Sequence, residues 1–131
     1  MAARVGIILT CAISLFSLIL PTLSATDGIA TYYGSAPYTG NACYGSKNPY
    51  GVWIAAASDK LWDGGKICGK RFKVTCTGPT NAVPHPCTGK SVTITVINYC
   101  PGCTNTFDLS QEAFATIANP TAGVIKISYE P

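Results

Sequence analysis

The run SVTITVIN at residues 91–98 limits the fold more than any other stretch of the chain. Val92, Ile94 and Val96 fall on one side and Thr93, Thr95 and Ile97 on the other. A period of two, dense in β-branched residues, predicts a strand. Shorter runs of the same kind recur as GIATYYG, GVWIAAAS, KRFKVTC and GVIKISYE. Between them lie segments such as GSAPYTGNACYGSKNPYG and TGPTNAVPHPCTGK, whose Gly, Pro and Asn interrupt regular structure at close intervals. Short strands between frequent turns predict an all-β barrel. One segment, DLSQEAFATIANP, has helical spacing instead, with Leu109, Ala113, Phe114 and Ile117 on a common face. Asp108 precedes Gln111 by three residues, as in a capping box, and Ser110 is an equally good cap. Pro120 is expected to stop the helix near Asn119.

The chain begins with a single early positive charge at Arg4, an apolar run from Val5 to Leu20, then Pro21 and the small residues Ser24 and Ala25. That order predicts a secretory signal over residues 1–25 and a folded domain over residues 26–131. The run holds Thr10, Ser14 and Ser17 and is short for a bilayer span of about 20 residues. A secreted protein that is not membrane-embedded is therefore expected, and a monomer. Loss of Arg4 with the leader lowers the net charge from +3 to +2. The cluster Lys66, Lys70, Arg71 and Lys73 partly alternates along a strand and reads as a solvated face, so no nucleic-acid partner is expected.

Cys11 lies in the leader, which leaves Cys43, Cys68, Cys76, Cys87, Cys100 and Cys103. An even number in a small secreted domain predicts three disulfides, and spacing alone does not choose their pairing. Cys100-Pro-Gly-Cys103 could in principle be redox-active or half a zinc site. It lacks both a βαβ setting and a second Cys-x-x-Cys, so neither a metal nor another cofactor is expected. His85, the single histidine, is read as a loop residue, and Asn119-Pro120-Thr121 is no glycosylation acceptor because of its proline.

Taken in order, ATYYG, GNACYGS, WIAAASDKLWDGGKICGKRFKVTC, NAVPHPCTGKSVTITVINYCPGC and FDLSQEAFATIANPTAGVIKISY make the chain resemble the endoglucanase-45-like, or expansin-like, domain and within it the plant natriuretic peptides. The resemblance implies a six-stranded double-psi β-barrel with one short helix, located in the plant apoplast and cell wall. It also implies the pairings Cys43–Cys68 and Cys76–Cys87, leaving Cys100 to Cys103. Family-45 endoglucanases place one catalytic carboxylate at the motif matched by FDL and the other at the motif matched by TYYG. Asp108 keeps the first, whereas the second falls at or beside Gly34, which has no side chain. Where expansins commonly carry an Asp before the acid, the chain has Asn98. Hydrolysis by two carboxyl groups is then incomplete, and no glycosidase activity is expected.

By the same resemblance, Thr31, Tyr33, Asn98 and Asp108 would line an open polysaccharide groove, with Asp108 a helix cap, a ligand contact or both. Seven tyrosines and two tryptophans offer flat faces on which sugar rings stack. Trp53 is read as core, and Trp62 as either core or surface. Two functions are in view. The leading one, implied by the resemblance to plant natriuretic peptides, is signalling through a plasma-membrane receptor in water and ion balance and in stress or defence, the activity being implied for the segment matching Ala42 to Lys73. The other is non-hydrolytic binding of a cell-wall polysaccharide.

Overall fold

The computed structural model describes residues 2–3, 5–18 and 24–131. Part of the expected leader, Met1, Arg4 and residues 19–23, lies outside the described residues. Over residues 5–18 there is no helix or strand, Cys11 is a free, exposed thiol, and Leu15 and Phe16 are about nine-tenths exposed. Among the described residues, no helix is long and apolar enough to cross a membrane.

Six strands close into a barrel: β1 (Thr26–Tyr33), β2 (Ile54–Ala57), β3 (Arg71–Pro79), β4 (Ser91–Tyr99), β5 (Phe107–Ser110) and β6 (Ile125–Glu130). Their order around the barrel is β1-β5-β2-β4-β3-β6. β1 with β5 and β2 with β4 are parallel, and the other four pairings are antiparallel. Two interlocked parallel pairs make this the double-psi barrel that the resemblance implied. Two short helices accompany it where one was expected: α1 (Asp59–Trp62) directly after β2, and α2 (Gln111–Ile117) directly after β5.

Alternation along β4 sets the interior. Val92, Ile94 and Val96 are buried together with Val74 of β3, Phe107 and Leu109 of β5, Ile125 and Ile127 of β6 and Ala30 of β1. Phe114 and Ile117 of α2 close one side of this core, and Phe107 packs its ring against Phe72 and Tyr129. A second, smaller core lies elsewhere: Ile54 and Ile97 are buried with Tyr38 beneath the segment that joins β1 to β2, where Tyr33, Tyr44 and Val52 pack on them. Apolar residues of both parities in β4 therefore find cover, the second set from a loop.

The bonds Cys43–Cys68, Cys76–Cys87 and Cys100–Cys103 tie the irregular segments down. Asp59 holds the Cys100–Cys103 turn by accepting hydrogen bonds from the Tyr99 hydroxyl and the Gly102 amide.

Three readings from sequence need correction. The helical segment begins later than expected, because Phe107–Ser110 pair with β1 and β2 as a strand and satisfy their backbone groups there. Ser110 is the cap: its hydroxyl oxygen accepts the Ala113 amide at 3.1 Å and donates to the Val52 carbonyl, so Asp108 is not a cap. Trp53 is not core. It precedes β2, outside the ring of strands, and is 47% exposed. Trp62 is partly buried, stacked on Tyr99 with ring centroids 4.7 Å apart.

Candidate functional site

Strand register builds the site. Thr31 of β1 is the partner of Asp108 of β5, Asp108 of Ala56 of β2, and Ala56 of Asn98 of β4. One row across four strands therefore carries three of the four groove residues expected from sequence. Asn98 joins the row because the β2–β4 register shifts between Ala55 and Ala56: Ala55 faces Val96, but Ala56 faces Asn98. Simple alternation from Val96 would turn Asn98 inward, and the bulge re-aims it.

Asp108 has its flanking residues, Phe107 and Leu109, buried inside the barrel, while it is itself half-buried. The Thr31 hydroxyl donates to its Oδ1 at 2.8 Å. Burial raises the Asp108 pKa above the usual carboxyl value, and the Thr31 hydrogen bond opposes that only in part. A carboxyl so placed holds its proton to higher pH than a surface aspartate does.

That shift gives a stability prediction. The protonated Asp108 is favoured by folding, so its contribution is fully present below the unfolded-state pKa and is lost as pH rises through the raised folded value. Asp108→Asn keeps an acceptor for Thr31 without the buried charge. The variant is expected to melt at a higher temperature than the parent at neutral pH, and the gain should shrink as pH falls through the carboxyl range. Melting curves across that range check it, and a gain that grows on acidification would contradict the burial argument.

Tyr33 is the fourth expected residue. Among the described residues, its hydroxyl is buried without a hydrogen-bond partner. Desolvation raises its pKa; the Asn98 amide beside it lowers it, and the charge of Asp108 adds to the rise. Tyr33 thus stands beside Asn98 and within the field of Asp108. Tyr33 also meets Tyr38 edge-on at 5.8 Å, and Tyr38 donates to Glu112 at 2.6 Å. Burial first, then the bond to Glu112, pushes the Tyr38 pKa up to about 12.

Tyr33 and Asn98 line a depression of 120 Å³ with Gly34, Ser35 and Tyr38, and no carboxylate lines it. Gly34 has φ of +67°, and a Cβ there would stand 3.0 Å from the Tyr38 ring. Backbone and space both favour glycine at this position. Of the other acids, Glu112 is engaged by Tyr38 and Asp59 by the Cys100–Cys103 turn. Asp27 lies within β1, opposite Ser128.

Sequence reasoning missed Asn105. Its amide donates to Thr31 Oγ1 at 2.7 Å and to the Phe107 carbonyl at 2.9 Å. Asn105 also lines a cavity of 600 Å³ with Asp59, Lys60, Thr104 and Tyr129. The relay Asn105–Thr31–Asp108 joins that cavity to the row. Nothing in TNTFDL marks Asn105 for this part, because its partner Thr31 is 74 residues away.

A protein-family model described as "Lytic transglycolase", of the double-psi barrel type, matches residues 54–129. The chain is 61% identical over 108 residues to a putative EG45-like domain containing protein 1 of Arabidopsis thaliana, covering 82% of this chain and 84% of that one. It is 51% identical over 128 residues to an EG45-like domain containing protein of Citrus jambhiri, covering 96% and 94%. Among solved structures, the apo expansin of Clavibacter michiganensis superposes with a TM-score of 0.63 at 30% identity, over 81% of this chain and 49% of that one. A mutant of that expansin, solved in complex with cellohexaose, superposes with a TM-score of 0.58 at 30% identity over the same shares. The chain thus spans about half the length of that expansin.

Proposed function

The chain belongs to the EG45-like, expansin-like domain proteins, and on that premise we propose that it binds a neutral β-glucan of the cell wall along the Asp108 row without cleaving it. The observation that carries this reading is the pair of groups on either side of Ala56. Asp108 and Asn98 are two strands apart, about 10 Å at ordinary inter-strand spacing. Inverting glycosidases set two carboxyl groups about 6.5 to 9.5 Å apart, with room between them for one water. On the far side this row carries an amide, which donates and accepts hydrogen bonds but cannot act as a carboxylate base. Gly34, at the other expected place for a second carboxylate, is held to glycine by its backbone and by Tyr38. Hydroxyl, amide and a half-buried carboxyl whose pKa is raised by burial form a surface suited to sugar hydroxyls. The cellohexaose held by the expansin mutant supports a β-glucan as the ligand class. Residues 1–25 as a secretory signal would deliver such a binder to the wall.

The test is retention of the purified protein on cellulose and binding of cellohexaose, with reducing ends measured in the same tubes. Binding without new reducing ends is expected. Tyr33→Phe sharpens it. Deleting a buried hydroxyl that has no partner should leave the fold as stable as before, or more stable by about 1 kcal/mol. Cellohexaose binding should weaken, because the glucan is expected to uncover the Tyr33 hydroxyl, at the depression it lines with Asn98, and take it as a partner. Release of sugar by the parent protein, or full binding by Tyr33→Phe, would sink the reading.

One observation favours a second reading, receptor-mediated signalling in water and ion balance. The segment 42–73 is closed by Cys43–Cys68 and packs on the small core of Tyr38, Ile54 and Ile97, so its loops offer a rigid surface. Swelling of protoplasts on addition of the protein, unchanged by Tyr33→Phe, is the expected result for that role.

A further inference from the structure

Among the described residues of 24–131, Tyr50 and Trp53 are the large apolar side chains left exposed, at 40% and 47%. Both line one surface depression of 290 Å³, whose other walls are Arg71, Thr93 and Thr95. Its parts are held in place. The Thr95 amide donates to the Trp53 carbonyl at 3.0 Å, and Arg71 is the cross-strand partner of Thr95. Tyr50 is braced by Tyr44, with ring centroids 5.7 Å apart. Tyr44 fits because residue 69 is glycine, where a Cβ would stand 2.9 Å from the Tyr44 hydroxyl.

Lys73 continues the row of cations on the same strand face, about 7 Å from Arg71, and its partner across β4 is the exposed Thr93. No carboxylate lines the depression. The acid that the register places beside the row is Glu130 of β6, opposite Lys73 on the side away from β4. Flat aromatic faces suit sugar rings, and threonine hydroxyls suit sugar hydroxyls. Neither needs a cation. A guanidinium beside them adds a planar fork that matches a carboxylate in two parallel hydrogen bonds.

We propose that this depression is a second carbohydrate site, separate from the Asp108 row, that binds a polymer carrying carboxylates on its sugar rings, a polyuronate. The site does not rest on glucan binding in the row. The full-length mature protein is tested for retention on immobilised polygalacturonate and on its fully methyl-esterified form. Retention on the free acid alone is expected, weakening as salt rises. Trp53→Ala and Arg71→Gln should each weaken it by roughly tenfold, and Arg71→Lys should fall between, since lysine keeps the charge but not the fork. Tyr33→Phe should bind polygalacturonate like the parent. Because Trp53 and Arg71 are exposed and Tyr33→Phe removes only a hydroxyl, circular dichroism should show all variants folded. Equal retention on the methyl ester, parent-like retention of Trp53→Ala, or no retention of the parent protein on polygalacturonate would each overturn the proposal.

Discussion

Phe107→Ala is expected to lower the stability of the domain by about 3 to 5 kcal/mol, the usual range for removing a buried aromatic ring. Phe107 is fully buried and its ring contacts Phe72 at 5.3 Å and Tyr129 at 5.1 Å, so one truncation opens a cavity shared by β3, β5 and β6. Little can collapse into that space, because the barrel is closed and its strands are pinned by pairing on both sides. Against the 5 to 15 kcal/mol typical of small domains, a loss of about this size is a large fraction of the total. Denaturant unfolding should show a lower midpoint at nearly unchanged slope. Phe72→Ala makes the comparison: the residue is only partly buried and should cost less. The row should suffer too, since Asp108 is held between Phe107 and Leu109 on a strand of four residues. A loss below about 1 kcal/mol would mean that the barrel repacks, contrary to the close packing expected of protein interiors.

The interior of the barrel was legible because its signal is local. Val92, Ile94 and Val96 announce their strand by alternation, and Val74, Ile125 and Ile127 behave alike. β5 was not legible from periodicity: four residues leading directly into a helix share that helix's apolar spacing, and only pairing with β1 and β2 makes them a strand. The same competition gave Asp108 the look of a cap, although Ser110 is the residue with non-helical backbone at the helix start. Trp53 misled because apolar neighbours in sequence are no guarantee of cover, and the strand it precedes begins one residue later. Among the site residues, Thr31, Tyr33, Asn98 and Asp108 came from family resemblance, and no pattern in the residues alone would have aligned them. Their alignment depends on a register shift in β4 opposite β2, a property of pairing between distant segments. Asn105 was hidden for the same reason.

Removing the Cys43–Cys68 bond by replacing both cysteines with alanine is expected to cost about 3 to 4 kcal/mol, from the chain entropy of a loop of this length. The bond spans 25 residues and carries β2, α1 and the aromatic residues Tyr44, Tyr50 and Trp53. Both its ends are fastened to β4: the Cys43 amide donates to the Ile97 carbonyl at 3.0 Å, and the Gly69 amide to the Val96 carbonyl at 2.8 Å. Beside the first of these, the Ala42 amide donates to the Asn98 side chain at 2.9 Å, so the disulfide and the row share an anchor. The core under this segment, Tyr38, Ile54 and Ile97, is small and distinct from the barrel core. Part of the lost stability should therefore appear as local opening, in the manner of partial unfolding below the global transition. Amide exchange at Ala42, Cys43 and Gly69 should accelerate more than exchange at Val74 and Ile127 in the barrel. Asn98 would lose its fixed partner, and glucan retention should fall along with local protection while the barrel stays folded. If exchange instead rises equally at all these amides, the loop and the barrel open as one unit. The second core would then be no separate element, and the bond would act on the row only through global stability.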